Sequence, residues 1–390
     1  MRGLAGSNYE EGNGIGCAHL LEHFHTSKLF YKQKINKIIN YGGRITGTTS
    51  RDDVAYLVKS LKEYYQFSLD YLLEIFLEKK FEESFIVQIK NNIIQEIRQN
   101  INDPKKYIMR LAYQNLYPGQ RFSKFNTGDE NDIKNLKIDS IYSFKRDRYS
   151  PDNFVITACG DIDPKLFIQT IKSFFVKNVY KKSNKIKKLK YKKNKQLKIL
   201  IQKNEDSDQV HLKIDFYGVS SSNKSKYAYL LLSKILKNKL LKSIQNYNSK
   251  FYIPTYSIDV NSFSSNTYGL LGAYICMEDK YLNPFIEIFR KTLISLSRRK
   301  ISSSELNAVK NNIYCDLIFN LEKTSLASDF YSELYLYDSA VKSHSDELNN
   351  YLICQASSIQ KAAQNFCKQK PKITILTNNT VMMAPKIIWK

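Results

Sequence analysis

The sequence predicts an α+β chain of two homologous units, each a mostly antiparallel sheet covered by helices. The prediction rests on three observations. The same order of helices and strands runs twice along 390 residues, once on each side of a basic stretch at residues 181–195, KKSNKIKKLKYKKNK. Two local matches recur at nearly equal spacing. Ala18-His19-Leu20-Leu21-Glu22-His23 aligns with Ala228-Tyr229-Leu230-Leu231-Leu232-Ser233, and Lys90-Asn91-Asn92-Ile93 aligns with Lys310-Asn311-Asn312-Ile313. Finally, a chain that is 43% hydrophobic and 25% charged can bury a sizeable core in each half. The expected organisation is a first unit at residues 1–180, a connector at 181–196 whose like charges cannot be buried, and a second unit at 197–390.

On the first side, residues 18–24 and 35–40 read as helix, and Tyr41-Gly42-Gly43 breaks the second of these. A strand-like run follows at 44–60, then a helix at 64–76. A long amphipathic helix spans about 83–102 and ends before Pro104, with Ile93, Ile94 and Ile97 on its apolar side. More helix is expected up to residue 117, over 129–135 and over 138–149. The side closes on the strand NFVITACG at 153–160, and a short helix follows at 164–175. The second side opens with strands at 197–202 and 211–217 and a helix at 226–239. A hairpin at 256–277 leads to helices at 282–297 and 303–321, with more helix to 337. Helices at 344–355 and 358–368 precede the closing strand KITILTN at 372–378.

Composition narrows the function classes. No run of about 18 uncharged apolar residues is present, so no transmembrane anchor is expected. The net charge of +23 is spread along the chain with Asn, Ile and Tyr, which fits a compositional bias better than a dedicated polyanion site. Neither a helix-turn-helix nor an RNA-binding aromatic pattern accompanies it, so no specific nucleic-acid partner is expected. The six cysteines form no CxxC pair and read as free thiols.

The chemistry concentrates in one short helix. Of five histidines, His19, His23 and His25 fall within seven residues. His19-Leu20-Leu21-Glu22-His23 is an HxxEH motif, the inverted form of the HExxH zinc-protease motif. Residues i and i+4 share a helix face, so both imidazoles can bind one Zn²⁺. Glu22, about 100° round the helix from His23, can take a proton from a metal-bound water without ligating the metal. For five histidines and 37 acids, the expected chance count of the motif is about 0.006, which argues against coincidence. Asn13 and Gly14 are candidates to begin this helix. A catalytic zinc site needs a third protein ligand. Glu96, flanked by isoleucines on the long helix, is the best candidate because a carboxylate at the core edge needs a partner; Glu82 and Glu83 compete.

These pieces resemble the pitrilysin/insulinase family of zinc metallopeptidases, and specifically its half-length members related to the mitochondrial processing peptidase β subunit. The resemblance covers nearly the whole chain, and its matching pieces are AGSNYEEGNGIGCAHLLEHF, INYGGRITGTTSRDDVAYLV, IIQEIRQNINDP, LAYQNLYPGQRFSKFNTGDENDIKNL and YSPDNFVITACGDID. It implies zinc ligation by His19, His23 and Glu96, with Glu22 as the base. It also implies that Gly43, Arg44, Ile45, Thr46, Gly47 and Thr48 form a strand edge that receives an extended peptide or unfolded polypeptide by β-augmentation. The activity implied is zinc-dependent endopeptidase hydrolysis, in a clamshell of two units with zinc in the cleft and the second unit non-catalytic. A homodimer, or a heterodimer with a homologous subunit, is implied as well.

The chain departs from the family pattern in several places. Met1 falls where the family already has a strand, so the first strand is expected to be missing. A helper acid seven residues before the zinc glutamate falls at Ile89, and the family's asparagine-alanine in the substrate strand appears as Thr46-Gly47. These departures support an alternative, a catalytically impaired member acting as a regulatory or assembly subunit. Localisation is left open between periplasm, cytoplasm and mitochondrial matrix.

Overall fold

A computed structural model describes residues 1–12, 14–27, 32–77, 80–178, 191–205, 208–245, 252–255, 258–337 and 343–378. Asn13, residues 181–190 of the connector and residues 256–257 of the expected hairpin lie outside that set.

The first half of the chain runs β1 (Arg2–Gly3), α1 (Cys17–Thr26), α2 (Lys32–Asn40), β2 (Arg44–Thr49), β3 (Val54–Lys59), α3 (Tyr65–Glu74), α4 (Glu83–Asn102), α5 (Pro104–Leu116), α6 (Glu130–Asn135), α7 (Ile138–Arg148), β4 (Phe154–Val155) and α8 (Pro164–Lys177). The second half runs β5 (Lys198–Lys203), β6 (Val210–Tyr217), α9 (Ser225–Ile244), β7 (Ile258–Ser264), β8 (Gly269–Met277), α10 (Leu282–Arg298), α11 (Ser303–Leu321), α12 (Thr324–Tyr337), α13 (His344–Leu352), α14 (Ala356–Cys367) and β9 (Lys372–Thr377).

One difference from the sequence expectation has a local cause. The run at 44–60 is a hairpin, because the Ser50 hydroxyl accepts from the N–H groups of Asp52 and Asp53 at 3.1 and 2.9 Å and turns the chain between β2 and β3. As expected, α4 ends before Pro104 and a second helix follows: Asp103 accepts from the N–H groups of Lys105 and Lys106, and Pro104 takes the first helical position of α5.

The first sheet has the order β2-β3-β1-β4 and is antiparallel throughout. The second has the order β5-β9-β6-β8-β7; among the described residues its β5–β9 pair is parallel and its other pairs are antiparallel. The α+β class is therefore as expected. Element by element, β1, α1, β2, β3, α3, α4 and β4 repeat as β6, α9, β7, β8, α10, α11 and β9. In the first sheet, β1 is a two-residue strand between β3 and β4, and among the described residues no strand stands in the place that β5 takes in the second.

The chain forms two compact units. One comprises Met1–Gln99, Phe125–Leu189 and Ile318–Lys342; the other comprises Asn100–Lys124, Lys190–Leu317 and Ser343–Lys390. They are therefore not the consecutive stretches 1–180 and 197–390. The corresponding helices α5 and α12 are exchanged: α5 packs on β9 and β6 of the second sheet, and α12 packs on β1 and β4 of the first. In α5, Ile108 and Leu111 are buried against Tyr274 and Leu376. Hydrophobic burial against a sheet face outweighs sequence proximity here.

The core of the first unit joins Leu20, Leu21 and Phe24 of α1 to Tyr56 of β3, Tyr71 of α3, and Ile86, Ile89, Ile93 and Ile97 of α4. The second core joins Leu212, Ile214 and Phe216 of β6 to Leu231, Leu232 and Ile235 of α9, Phe285 and Phe289 of α10, and Phe366 of α14. All six cysteines are free thiols. Among the described residues, no helix is long and apolar enough to cross a membrane.

Candidate metal centre

Helix α1 begins at Cys17, three residues after the expected start at Gly14. Its N-cap, Gly16, has φ 95°, a left-handed conformation that favours glycine, and a Cβ there would lie 2.4 Å from Ile133 Cδ1. The orphan N–H groups of this end are taken by a carboxylate six residues upstream. Glu10 accepts from Gly16 N–H at 3.0 Å and from Ala18 N–H at 2.9 Å, which also places a negative charge at the positive end of the helix dipole. Leu20, Leu21 and Phe24 anchor the opposite side of α1 in the core.

His19, His23 and Glu96 come together as a group of potential metal ligands. His19 Nε2 lies 3.1 Å from His23 Nε2 and 3.1 Å from Glu96 Oε2, and His23 Nε2 lies 3.3 Å from Glu96 Oε2. A tetrahedral ion with ligands at about 2.0–2.1 Å has edges of roughly 3.3–3.4 Å, so the three donor atoms already stand near the spacing of one face of such a polyhedron. Two imidazole nitrogens and one carboxylate oxygen are also the donor types zinc takes in catalytic sites. The residues present fit the metal on both grounds.

Glu96 reaches the group because it lies well along α4. Glu82 and Glu83 sit at the start of that helix, about 20 Å of helix rise away at ~1.5 Å per residue, and are not in the group. Ile89, at the helper-acid position, is buried in the first core. His25 is not in the group either; its ring packs near Phe24, Tyr56 and Tyr149.

Glu22 is buried beside the group. Its Oε2 lies 3.2 Å from His19 Nδ1, the ring nitrogen that faces away from the donor cluster, and accepts from the Thr49 hydroxyl at 3.0 Å. Electrostatics follow from this packing. Burial disfavours the charged His19 ring, but hydrogen bonds and charge from Glu22 and Glu96 override it and push the pKa up to about 9. Hydrogen bonds from His19 and His23 hold the Glu96 carboxyl well below the usual range, so it keeps its negative charge.

The expected substrate strand is β2, which among the described residues stands at one edge of its sheet. Gly43 is buried just before it. Arg44, Thr46 and Thr48 are exposed, while Ile45, Gly47 and Thr49 turn inward. A Cβ on Gly47 would come within 2.6 Å of Glu22 Cγ, so glycine permits the strand's close approach to α1. Sequence reasoning missed Glu10, Thr49 and Asn126, whose amide donates to Thr49 O at 3.1 Å. The only sequence signal was the Gly47–Thr49 alternation, which becomes visible once 44–49 is assigned as a strand.

The matching places in the second unit hold no such group among the described residues. Tyr229 packs on Phe366 with ring centroids 4.6 Å apart, the Ser233 hydroxyl donates to Leu230 O at 2.8 Å, and Asp316 lies 3.5 Å from Lys234 Nζ.

Comparison with known proteins decides the family. Residues 4–124 match the model described as insulinase (peptidase family M16), and residues 135–313 match the model described as peptidase M16 inactive domain. The chain belongs to peptidase family M16, the insulinase family. Among M16 relatives, it is 24% identical to the uncharacterized zinc protease YmxG of Bacillus subtilis over 324 residues, covering 82% of this chain and 78% of that protein. It is 29% identical to the mitochondrial-processing peptidase subunit beta of Dictyostelium discoideum over 175 residues, 44% of this chain and 37% of the other. In fold, it is similar to the crystal structure of a protease from Helicobacter pylori, with a TM-score of 0.85 at 18% identity over 96% of this chain and 92% of that one. It is also similar to a peptidase M16 inactive domain from Pseudomonas fluorescens, with a TM-score of 0.79 at 12% identity over 97% and 92% of the two chains.

Proposed function

We propose that this M16 chain is a zinc-dependent metalloendopeptidase acting on extended peptides, with Glu22 as its base. The observation that carries the reading is the convergence of His19, His23 and Glu96 on one point, with the Glu22 carboxylate buried alongside. Zinc bound there supplies Lewis-acid chemistry, polarising a carbonyl and acidifying water. His19, His23 and Glu96 hold the ion. The exposed edge of β2 receives the substrate backbone as an added strand, so recognition depends little on side-chain sequence. Glu22 accepts the proton of the attacking water and returns it to the departing amine nitrogen as the C–N bond breaks, leaving one carboxylic acid and one amine.

Chelation tests this reading. Hydrolysis of an unstructured fluorogenic peptide is expected to stop after dialysis against 1,10-phenanthroline and to return on adding about one equivalent of zinc per chain. Cleavage that survives complete metal removal contradicts it. A second reading is supported by Ile89, buried where the family often has a helper acid: a regulatory or assembly subunit that binds zinc without turnover. Stoichiometric zinc with no cleavage of any extended peptide would favour that reading.

A further inference from the structure

We propose that Thr49 is a positioning residue that aims the Glu22 carboxylate, with Gly47 making room for it; the proposal rests on Glu22 serving as the base. Gly47 and Thr49 lie two residues apart on β2 and so share its inward side. One strand thereby addresses both oxygens of the carboxylate. The Thr49 hydroxyl donates to Oε2 at 3.0 Å, and a Cβ at position 47 would stand 2.7 Å from Oε1 and 2.6 Å from Cγ. Glycine keeps the space at Oε1 open, and the hydroxyl selects one orientation of a side chain with three rotatable bonds.

Thr49 is itself held. Its carbonyl accepts from the Asn126 amide at 3.1 Å, and Asn126 Oδ1 accepts from the Ser7 hydroxyl at 3.2 Å. On the other side, Oε2 also meets His19 Nδ1 at 3.2 Å. The carboxylate thus sits between a ligand helix and the edge strand. Its direction depends on a hydroxyl that neither binds the metal nor contacts the reacting atoms. A hydrogen bond to a charged acceptor is strong enough for its loss to alter the aim of a base that must meet a proton at close range.

The test compares Thr49→Val, Thr49→Ala and Thr49→Ser in the zinc-loaded full chain, with peptide turnover, zinc content and a crystal structure of each. Val and Ala are expected to lower kcat about tenfold or more with KM within about twofold and zinc content unchanged, while Ser stays within about threefold of the parent. In the crystal structures, the Glu22 carboxylate is expected to keep its pose in the parent and in Thr49→Ser and to rotate away in Thr49→Val and Thr49→Ala. The proposal is overturned if the carboxylate keeps its pose without the hydroxyl, or if Thr49→Ser loses as much kcat as Thr49→Val. If the parent shows no Glu22-dependent cleavage, the proposed function fails separately, and the carboxylate pose still decides the role of Thr49.

Discussion

Glu22→Gln is expected to lower peptide hydrolysis by about a hundred- to ten-thousandfold while zinc content stays at the parent level, the range general-base removal produces. The split follows from the geometry. The Glu22 carboxylate contacts His19 Nδ1 and Thr49 Oγ1, whereas the donor group is formed by the Nε2 atoms and Glu96. Glutamine keeps the side-chain length and can still accept from Thr49, but it cannot take a proton. Turnover measured beside elemental analysis on the same preparation checks both halves. Retained hydrolysis would remove Glu22 from the role of base; lost zinc would make it part of the metal site.

His19→Ala and Glu96→Gln are expected to act on the other half of the machinery, weakening zinc binding by about a hundredfold or more and taking hydrolysis with it. His19 is the more buried of the two, so its removal also leaves the Glu22 and Glu96 carboxylates without their shared partner. Glu96→Gln keeps a neutral oxygen donor but removes the negative charge that the two imidazoles hold in place. Glu83→Gln, at the start of the same helix, is the matched control and should leave zinc content unchanged. Competition with a chromogenic zinc chelator measures each affinity. Parent-like affinity in Glu96→Gln would exclude that carboxylate as a ligand.

The parts of this site that were legible in the sequence are those written within one helix. The i, i+4 spacing of His19 and His23 and the offset of Glu22 are geometric consequences of helix periodicity, so reading the motif was reading its geometry. Glu96 was legible for a different reason: a carboxylate among Ile93, Ile94 and Ile97 sits at the edge of a core and needs a partner. Glu10 as the helix cap and Thr49 as a partner of Glu22 were not legible, because each contact depends on how a loop or a strand returns to α1. The fold shows the same division. Elements with strong periodicity, such as α4, ran as expected, whereas the hairpin turn at Ser50 hinges on one hydroxyl accepting from two backbone N–H groups. The exchange of α5 and α12 was also beyond local reading. A helix with a continuous apolar face carries no mark of which sheet will cover it, and Ile108 and Leu111 find theirs in the second unit.

The most direct measurement is anomalous diffraction at the zinc absorption edge from crystals of the zinc-loaded full chain. The account predicts one strong peak about 2.0–2.2 Å from His19 Nε2, His23 Nε2 and a Glu96 carboxylate oxygen. A peak that excludes Glu96, with its carboxylate more than about 4 Å from the ion, would contradict it, as would no peak at this site in fully loaded crystals.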